Sequence, residues 1–550
     1  MKRILISLML VVVLLLAACG NSNTNTNTNT NSPNANTTVP GGNSITATET
    51  ADSMTFALKN NSWDVAPWKG AGSSGLAMYH QLYGSLLASQ EFGTPLDEMQ
   101  LEMAKSVAFS DDNLTATIEL YDYIVDSKGN TITASDVVFS YNMAPTVNGL
   151  FAHVDYLESI IATGTYTVEM KVGSAGAGIW ENILAYCPVV SQSWYEGASN
   201  EEKSNNPATT GAYRVASNSA GTSCTFEAIE DFWQIDELRN VYQLANVKTI
   251  NYICIAEDVM RTIALENGEI DACIILNTDF SKFEGNSDYN YFKFQQTNPS
   301  NLVFNCSEGS IFADVAMRKA ILYAIDFDQV MAAADNIPGV AGVRGHDVAP
   351  PGCSDYDEAW DAEAYYEYNV ELAKQYLAEA GYSENSGLKI HYMTKNQASQ
   401  KSAATVIQSY LAAIGIELVI DAYDQALQTA YLSEPDQWDM TVINTSSTAG
   451  YVTDVWSYLF GPYGDYGTIG AIQNDAELTR LLDDAINIHD AASINAFRDY
   501  YMEQAYAINM WNQEGYIVTQ SGITGIQFDF LVNPALNATT FSSDYSSVVR

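Results

Sequence analysis

The sequence predicts an α/β fold, with a sheet that is covered by helices in at least the C-terminal half of the chain. Segments that alternate apolar and polar residues, as strands with one covered face do, lie between segments with the period of a helix. At two places a helix that ends at a glycine is followed directly by a strand. The chain has 550 residues, of which 47% are hydrophobic. This length is sufficient for two or three globular units of roughly 100 to 200 residues.

Three segments carry the two-residue alternation of a strand. They are Thr115–Leu120, Thr165–Val172 and Val247–Ile255. Threonine, valine, isoleucine and tyrosine dominate them, and these residues are favoured in strands. We therefore predict one strand in each segment.

The helix–glycine–strand pattern occurs twice in the C-terminal half. Apolar residues recur at helical spacing from 406 to 414, Gly415 follows, and Ile416–Ile420 is predicted as a buried strand. A second helix is predicted over Ala373–Gly381, followed by the strand Leu388–Met393. Both units predict helices packed on a sheet.

Local signals predict several helix ends. Thr133 and Asp136 offer side-chain oxygens to the start of a helix, and Asp314 can cap the helix that carries Arg318. Gly268 stands between a helix and the predicted strand Ile270–Leu276, where a left-handed turn is favoured. We interpret these residues as determinants of the fold.

The first twenty residues predict export. Lys2 and Arg3 precede an apolar run, and Leu16-Ala17-Ala18-Cys19 resembles the lipobox of bacterial lipoproteins. The apolar run is shorter than the roughly 20 residues that cross a hydrocarbon core. We therefore expect residues 1–18 to be a signal peptide and Cys19 to carry the lipid anchor.

A polar tract follows the predicted lipidation site. Residues 19–43 are rich in asparagine and threonine and almost free of charge and apolar bulk, so they cannot bury enough surface to fold. As a coil this tract has an end-to-end distance of about 25 Å. We predict a tether that leaves the acyl chains as the protein's only contact with the membrane.

The charge balance excludes one class of partner. The sequence has 66 acidic against 24 basic residues, with a formal net charge of −42. Nucleic-acid binding requires lysine and arginine to neutralise phosphate. We therefore expect no nucleic-acid partner, and we attribute the acidity to surface solubility.

Signals for a metal or catalytic centre are few. The five histidines are isolated, and His391 lies in a strand pattern that favours a core or sheet-face role. We expect no metal site, no cofactor, no disulfide requirement and buried free thiols. The scattered cysteines are Cys187, Cys224, Cys254, Cys273, Cys306 and Cys353.

Two motif-like segments are interpreted as loops. Gly70–Gly75 matches G-x-G-x-x-G but follows Pro67-Trp68-Lys69 rather than a strand, so we read it as a loop before a helix over Ala77–Leu87. Asp355, Asp357 and Asp361 resemble a calcium loop, but Trp360 and Tyr366 occupy the positions that require glycine and glutamate. We interpret this second segment as a solvated turn.

A series of short motifs extends from Tyr79 almost to the C-terminus, over roughly 450 residues. The motifs are YGSLL at 83–87, SDDNLT at 110–115, ITASDVVFSY at 132–141, NP and TGAY at 206–213, EDFW at 230–233, ALENGEID at 264–271, FN at 304–305, RKAILYAID at 318–326, AEAGY at 378–382 and IGI at 414–416. Each is weak alone. In this order they resemble the family 5 extracellular solute-binding proteins of bacterial ABC importers, which include oligopeptide-, dipeptide- and nickel-binding lipoproteins.

The resemblance implies a two-lobe periplasmic-binding-protein-like α/β fold with a hinge and a ligand cleft, in which lobe one is enlarged by an extra subdomain. Placed on this chain, lobe one comprises 44–75, 209–299 and 518–550, the extra subdomain 76–208, and lobe two 300–517. The implied protein is a monomer that captures solute, performs no catalysis, and delivers its cargo to ABC permease subunits from the extracytoplasmic face of the cell membrane.

The implied ligand is a peptide, but one position departs from the peptide binders. Their carboxylate for the peptide's amino terminus matches Thr448, so an ammonium ligand lacks its usual counter-charge there. Amine-anchored binding would require Asp454 or another acid as a substitute, and Asp454 also suits a helix cap before Val455–Leu459. The resemblance thus leaves open whether an amine anchors the ligand.

Other candidate contacts are aromatic or basic. The aromatic candidates are Trp63, Trp68, Tyr451 and Trp456, whose flat faces suit peptide side chains or sugar rings. The basic candidates are Arg344 and His346 in the loop Gly339–Gly352. These two could meet a carboxylate, but the loop is also expected to be solvated. Peptide is the first expectation, because it is the commonest cargo of the family that the sequence resembles, and oligosaccharide is the alternative. A secreted hydrolase with two carboxylates is a second alternative from another class.

Overall fold

A computed structural model describes most of the chain beyond the predicted tether. The described residues are 47–48, 50–59, 64–69, 76–88, 93–148, 154, 156–295, 297–334, 341–363, 365–445, 450–461, 475–528, 533–543 and 545–547. The predicted signal peptide, Cys19 and the whole tether lie outside these residues, as do Trp63 and Thr448.

Strands occur along the whole described chain. Their bounds are β1 Ala47–Thr48, β2 Ala51–Leu58, β3 Leu87–Ala88, β4 Gln100–Leu101, β5 Ala104–Phe109, β6 Thr115–Leu120, β7 Leu157–Ala162, β8 Thr167–Val172, β9 Tyr213–Ser219, β10 Ser223–Ala228, β11 Val247–Cys254, β12 Ala272–Ile274, β13 Tyr289–Gln295, β14 Ser300–Phe304, β15 Gly342–Val343, β16 Lys389–Lys395, β17 Glu417–Tyr423, β18 Met440–Asn444, β19 Ala507–Gln520, β20 Ile523–Phe528 and β21 Pro534–Ser542.

Helices alternate with these strands. Their bounds are α1 Leu76–Leu82, α2 Ala134–Val147, α3 Ile179–Tyr186, α4 Gln192–Gly197, α5 Asn200–Asn205, α6 Asp258–Glu266, α7 Val315–Ala324, α8 Phe327–Ala333, α9 Val370–Glu379, α10 Ala398–Ala412, α11 Gln425–Leu432, α12 Val452–Phe460, α13 Ala476–Asn487 and α14 Ala491–Glu503. In the part of the chain that the structure describes, every helix is too short or too polar to cross a membrane.

The predicted α/β class and the predicted strands are confirmed. Strand β6 has the predicted bounds, while β8 begins two residues later and β11 ends one residue earlier than the patterns indicate. Both helix–glycine–strand units are present as α9–β16 and α10–β17, with Gly381 and Gly415 at positive φ. Gly268 likewise has the expected left-handed φ of 71°.

The predicted helix caps are confirmed as well. Thr133 and Asp136 form a capping box at the start of α2. Asp314 accepts a hydrogen bond of 2.8 Å from the backbone N–H of Ala316 at the start of α7. These contacts satisfy backbone groups that a helix leaves without partners at its first turn.

One predicted helix is too long. The pattern over Ala77–Leu87 predicts a single helix, but α1 ends at Leu82. The chain then turns at Gly84, whose N–H donates to the Thr210 hydroxyl at 3.1 Å. Leu87 and Ala88 form a strand that pairs with β4. Tertiary contacts therefore override the apolar spacing here, because the same leucines serve a strand as well as a helix.

A large sheet runs through the molecule. Its strand order is β17-β16-β18-β14-β19-β12-β2-β11-β10-β9, with β13 and β15 also paired to β19. Strand β19 links the two halves of this order: residues 507–511 pair with β14, and residues 517–519 pair with β12. Smaller sheets are β5-β6-β8-β7, β1-β21-β20 and β3-β4.

The buried apolar side chains form separate clusters. The largest cluster draws its members from 51–272 and 517–541, whereas two others draw theirs only from 302–511. Among the described residues, no hydrophobic cluster mixes the two sets. We call the first set of residues body A and the residues 302–511 body B.

Candidate ligand-binding cleft

The carboxyl ends of parallel strands mark where a ligand site is expected. In body A, β2 runs parallel to β11 and β12, and in body B β16 runs parallel to β17 and β18. Tyr451 follows β18 in the chain, and residues 64–69 follow β2. Both segments therefore lie after strand ends of this kind.

Bodies A and B meet at a surface that we call the seam. The Tyr451 hydroxyl donates a hydrogen bond of 2.8 Å to Glu181 Oε1, on α3. A Cβ atom placed on Gly93 would lie 2.8 Å from the Gly352 carbonyl oxygen. Among the predicted site residues, Tyr451 is thus the one that directly bridges the two bodies in the described part of the chain.

Asp355 and His489 extend the seam beside Tyr451. The His489 and Tyr451 rings are 5.5 Å apart, and His489 Nε2 lies 3.8 Å from Asp355 Oδ2. Burial raises the pKa of Asp355 to about 7 and lowers the pKa of His489. The seam therefore contains a carboxyl group whose protonation changes near neutral pH, beside an imidazole that burial keeps neutral to lower pH than usual.

Asp454 does not supply the carboxylate at the start of the helix. Helix α12 begins at Val452, and the Val452 N–H donates a hydrogen bond of 2.6 Å to Asp355 Oδ1. Asp454 lies in the first turn and is partly buried. A carboxylate there complements the helix dipole, but the N-cap position is Tyr451 and the first helical N–H binds Asp355, so the expected cap role of Asp454 is wrong.

Trp456 lies in the hydrophobic core of body B. Its side chain is fully buried, its Nε1 donates to Asp347 Oδ1 at 3.0 Å, and its ring centroid is 4.8 Å from that of Phe497. A tryptophan held in this way fills the core and has its polar atom satisfied. Its position favours a structural role over contact with a ligand.

Trp68 is equally buried, in body A. Its Nε1 donates to the Pro188 carbonyl oxygen at 2.9 Å, and its ring lies 5.0 Å from that of Tyr195. Trp68 also has a φ of 62°, a conformation that is strained for a bulky residue. These contacts fix the segment after β2 and again favour a structural role.

The expectation of a solvated loop is wrong for the described part of 339–352. Arg344 donates to the carbonyl oxygens of Asn509 and Met510 at 2.9 and 2.8 Å, and β15 pairs with β19. His346 is partly buried, with its ring 5.7 Å from that of Tyr365. Burial lowers the pKa of both Arg344 and His346. This segment is therefore packed against the strand shared by bodies A and B.

The sequence analysis missed the two acids that organise this region. Asp347 is fully buried and accepts from Trp456, Tyr501 and the Ala349 N–H, and its Oδ2 lies 3.6 Å from Arg498 Nε. Glu181 is the second acid, at the seam. No local signal distinguishes either from the other acidic residues of the chain.

The three aspartates that resemble a calcium loop bind protein donors. Asp357 caps a short helical turn through the Ala359 N–H at 2.9 Å, Asp361 accepts from Tyr356 at 2.7 Å, and Asp355 accepts from Val452. Across the described residues, no group of three histidine, cysteine or acidic side chains is placed to hold a metal.

The remaining chemistry-bearing residues have structural settings. The six cysteines are free; Cys187, Cys224, Cys273 and Cys353 are buried, whereas the expectation of burial is wrong for Cys254 and Cys306, which are partly exposed. His391 lies in β16 with its Nδ1 2.8 Å from Asp421 Oδ2, which confirms a sheet-face role.

The fold consists of two bodies joined by a shared strand. The family model of the bacterial extracellular solute-binding proteins, family 5, matches residues 98–468. This match covers more than half of the chain, and the chain belongs to this family.

Curated relatives match at low identity. The probable peptide-binding protein YejA of Agrobacterium fabrum is 26% identical over 215 residues, 37% of this chain and only 34% of that protein. The oligopeptide-binding protein AppA of Bacillus subtilis is 21% identical over 445 residues, 74% of this chain and 79% of its own. The heme-binding protein A of Haemophilus influenzae is 24% identical over 454 residues, 76% and 78% of the two chains.

Solved structures extend the likeness to the whole fold. The crystal structure of a putative peptide binding protein AppA from Clostridium difficile superposes with a TM-score of 0.75 at 18% identity, covering 89% of this chain and 100% of that chain. The two-lobe α/β fold that the resemblance implies is thus confirmed.

Proposed function

We propose that this protein captures a peptide between its two lobes and delivers it to the permease of an ABC importer. Membership of the family carries this proposal, because the match covers residues 98–468. Relatives described as peptide- and oligopeptide-binding support the peptide as cargo. The protein acts by capture, without catalysis and as a monomer, and it needs no cofactor.

The lobes are proposed with the boundaries that the sequence suggests. Lobe one comprises 44–75, 209–299 and 518–550, with an extra subdomain over 76–208, and lobe two comprises 300–517. The separate hydrophobic clusters of bodies A and B support this division. Strand β19 passes between the two bodies and is the natural hinge, because its two halves pair with different strands.

Oligosaccharide is the weaker alternative. It depends on exposed aromatic faces near the cleft, and Trp68 and Trp456 are both buried in cores with their indole N–H groups bonded. A secreted hydrolase is weaker still, because the family binds solute. Peptide therefore remains the ligand class with the most support.

The export and anchoring of the protein are part of the proposal. Residues 1–18 serve as a signal peptide, Cys19 carries the lipid, and residues 19–43 tether the lobes to the extracytoplasmic face of the membrane. The expressed protein should partition with membrane or detergent, and Cys19→Ser should abolish the acyl mass at the mature amino terminus. An unmodified mature protein that begins elsewhere would contradict the anchor.

The cargo is best identified by mass spectrometry of what co-purifies with the protein. Synthetic peptides of the recovered sequence should raise the melting temperature and shrink the scattering radius together. A ligand at a hundredfold excess over Kd stabilises the folded state by about 2.7 kcal/mol. A saturating peptide that changes neither the melting temperature nor the radius would refute capture by closure.

Acetylated peptides test how the cargo is held. Because Thr448 carries no charge, we expect acetylation of the peptide's amino terminus to cost well under the roughly 3–5 kcal/mol of a broken buried ion pair. The measurement is the Kd of matched free and acetylated peptides. A loss of the full size that Asp454→Asn reproduces would instead show that Asp454 anchors the amine.

A further inference from the structure

A hydrogen bond joins the two bodies at the seam. Glu181 lies on α3, whose Trp180 and Ile183 belong to the core of body A. Tyr451 directly precedes Val452, which belongs to a core of body B. The Tyr451 hydroxyl donates to Glu181 Oε1 at 2.8 Å across the seam. The two residues are 270 positions apart, so this contact exists only when the bodies are together.

Both partners of this bond are shielded from water. Glu181 is 7% exposed and Tyr451 is 8% exposed. Burial and the neighbouring Glu181 raise the pKa of the Tyr451 hydroxyl, which therefore remains a donor at neutral pH. A buried carboxylate requires donors, and a hydrogen bond to a charged group is stronger than one between neutral groups.

Close to this hydrogen bond, the backbones of the two bodies also approach each other directly. Gly93 has a φ of 76°, and a Cβ atom there would lie 2.8 Å from the Gly352 carbonyl oxygen and 2.9 Å from the Ser354 nitrogen. A Cβ atom on Gly176 would likewise meet the Ile486 side chain at 3.3 Å. Glycine at 93 thus allows the two bodies to approach at the point where a side chain would separate them.

We propose that the Tyr451–Glu181 hydrogen bond and the close contact at Gly93 form a latch that holds the two lobes of this binding protein closed. The inference rests on the proposed function, since closure is how the cargo is enclosed. The latch is made entirely by the protein, so it acts before the ligand arrives and sets the population of the closed state. A ligand then adds its own preference for that state.

The chain offers a matched control for the hydrogen bond. Tyr506 is also 8% exposed and donates to a carboxylate, Asp475 Oδ2, at 2.6 Å. Tyr506 and Asp475 both lie within body B. Tyr506→Phe therefore removes the same kind of bond without touching the seam, whereas Tyr451→Phe removes it at the seam.

A second pair of variants tests the backbone contact. Gly93→Ala places a methyl group against the Gly352 carbonyl, at a backbone conformation that alanine disfavours. Gly129 has a similar φ of 85°, and a Cβ atom there would meet nothing within 4 Å. Gly129→Ala therefore introduces the same backbone strain and leaves the seam intact.

The test is hydrogen exchange and small-angle scattering on the full chain without ligand. We expect Tyr451→Phe to speed exchange in α3 and α12 by about tenfold, the effect of losing one hydrogen bond to a charged group. Gly93→Ala should speed exchange in the same two helices, because its methyl group pushes against the Gly352 carbonyl oxygen. Both variants should also enlarge the scattering radius. Tyr506→Phe and Gly129→Ala should change neither property.

Equal exchange and an equal radius in each variant and its control would overturn the latch. If Tyr451→Phe fails to fold, Gly93→Ala and Glu181→Gln still decide the question. Glu181→Gln keeps the size of the side chain and an acceptor oxygen but removes the charge, so it should weaken the bond and speed exchange in α3 and α12 by less than Tyr451→Phe. None of these measurements uses a ligand. A failure to bind peptide would therefore overturn the proposed function and leave the latch result unchanged. Unchanged exchange and radius in the variants would overturn the latch and leave the proposed function unchanged.

Discussion

Two buried acids, one in each body, are held in opposite ways. Asp347 in body B accepts hydrogen bonds from Trp456, Tyr501 and a backbone N–H, and it lies beside a guanidinium. Glu102 in body A is 2% exposed, and its described partner is the Ser85 N–H at 3.0 Å. Burial raises the pKa of both acids, and that of Glu102 reaches about 8.

The difference shows what burial of a carboxyl group costs. Donors around Asp347 oppose the effect of burial and favour the ionised form, whereas a single donor does little for Glu102. Asp347 organises the packing beside the shared strand β19. In addition to the contacts of its carboxyl group, its backbone carbonyl oxygen accepts from the Asn509 side chain at 2.8 Å. Glu102 weakens the folded state of body A whenever the solvent is neutral.

The largest effect is expected from Asp347→Ala. The change removes the buried acceptor of Trp456 and Tyr501 and an ion-pair partner of Arg498, so the free energy of unfolding should fall by about 3–5 kcal/mol. Urea unfolding at pH 7 measures it. Asp361→Ala, at an exposed acid with one tyrosine partner, is the control and should cost about 1 kcal/mol or less. Equal losses would show that Asp347 does not organise this region.

Glu102→Gln should instead raise the free energy of unfolding. Because the folded pKa is about 8, above the ordinary glutamate value of 4.5, the folded state binds the extra proton between these values, and stability falls as pH rises from about 4.5 to 8. Glutamine can keep the bond to Ser85 and carries no charge. The variant should therefore gain on the order of 2–4 kcal/mol at pH 8 and nothing near pH 4.

The measurement for Glu102 is the difference between the stability curves of the two proteins from pH 4 to pH 9. All other titrating groups are shared, so the difference isolates this carboxyl. A flat difference over this range would mean that Glu102 titrates normally in the folded protein.

Asp136 is a second buried acid of body A and can be compared with Glu102. It is buried like Glu102, but it accepts from the Thr133 N–H and hydroxyl and from the Gln192 N–H, each at 2.8 Å. Asp136→Ala should therefore lower the free energy of unfolding by about 1–2 kcal/mol, the value of a helix cap. Chemical denaturation checks the sign. A gain in stability would show that donors do not decide the effect of a buried acid.

The smallest effect is expected at an exposed pair. Lys171 and Glu158 are 2.6 Å apart, and each side chain is 51% exposed. Water screens such a pair, so Lys171→Ala should not change the urea midpoint beyond experimental scatter. A clear loss would mean that surface charge pairs stabilise this strongly acidic protein more than exposure suggests.

The sequence predicted the local elements where a short-range pattern decides them. Strand β6 alternates buried and exposed residues along its length, and its bounds match the prediction. The glycine stops and the cap at Thr133 are equally local, because they depend on backbone conformation and on a partner three residues away. Helix α1 was predicted too long because its leucines suit helix and strand alike.

The candidate site could be predicted only in part. Tyr451 was expected near the ligand and lies at the seam, but its partner Glu181 is 270 positions away. Asp355 occurs in a segment that reads as a turn, yet it caps α12. Trp68 and Trp456 are of a residue type that often contacts ligands, but both are buried as core residues are. Residue type alone does not separate these roles.

The sequence by itself determined the α/β class, the order of most elements and the family, because periodicity, glycine stops, caps and ordered motifs are properties of neighbouring residues. Only the tertiary structure decided which side chains meet: Tyr451 with Glu181, Asp355 with Val452, and Trp456 with Asp347. These pairings depend on how strands and helices far apart in the chain pack, and with 66 acidic residues no local pattern shows which ones become buried and find donors.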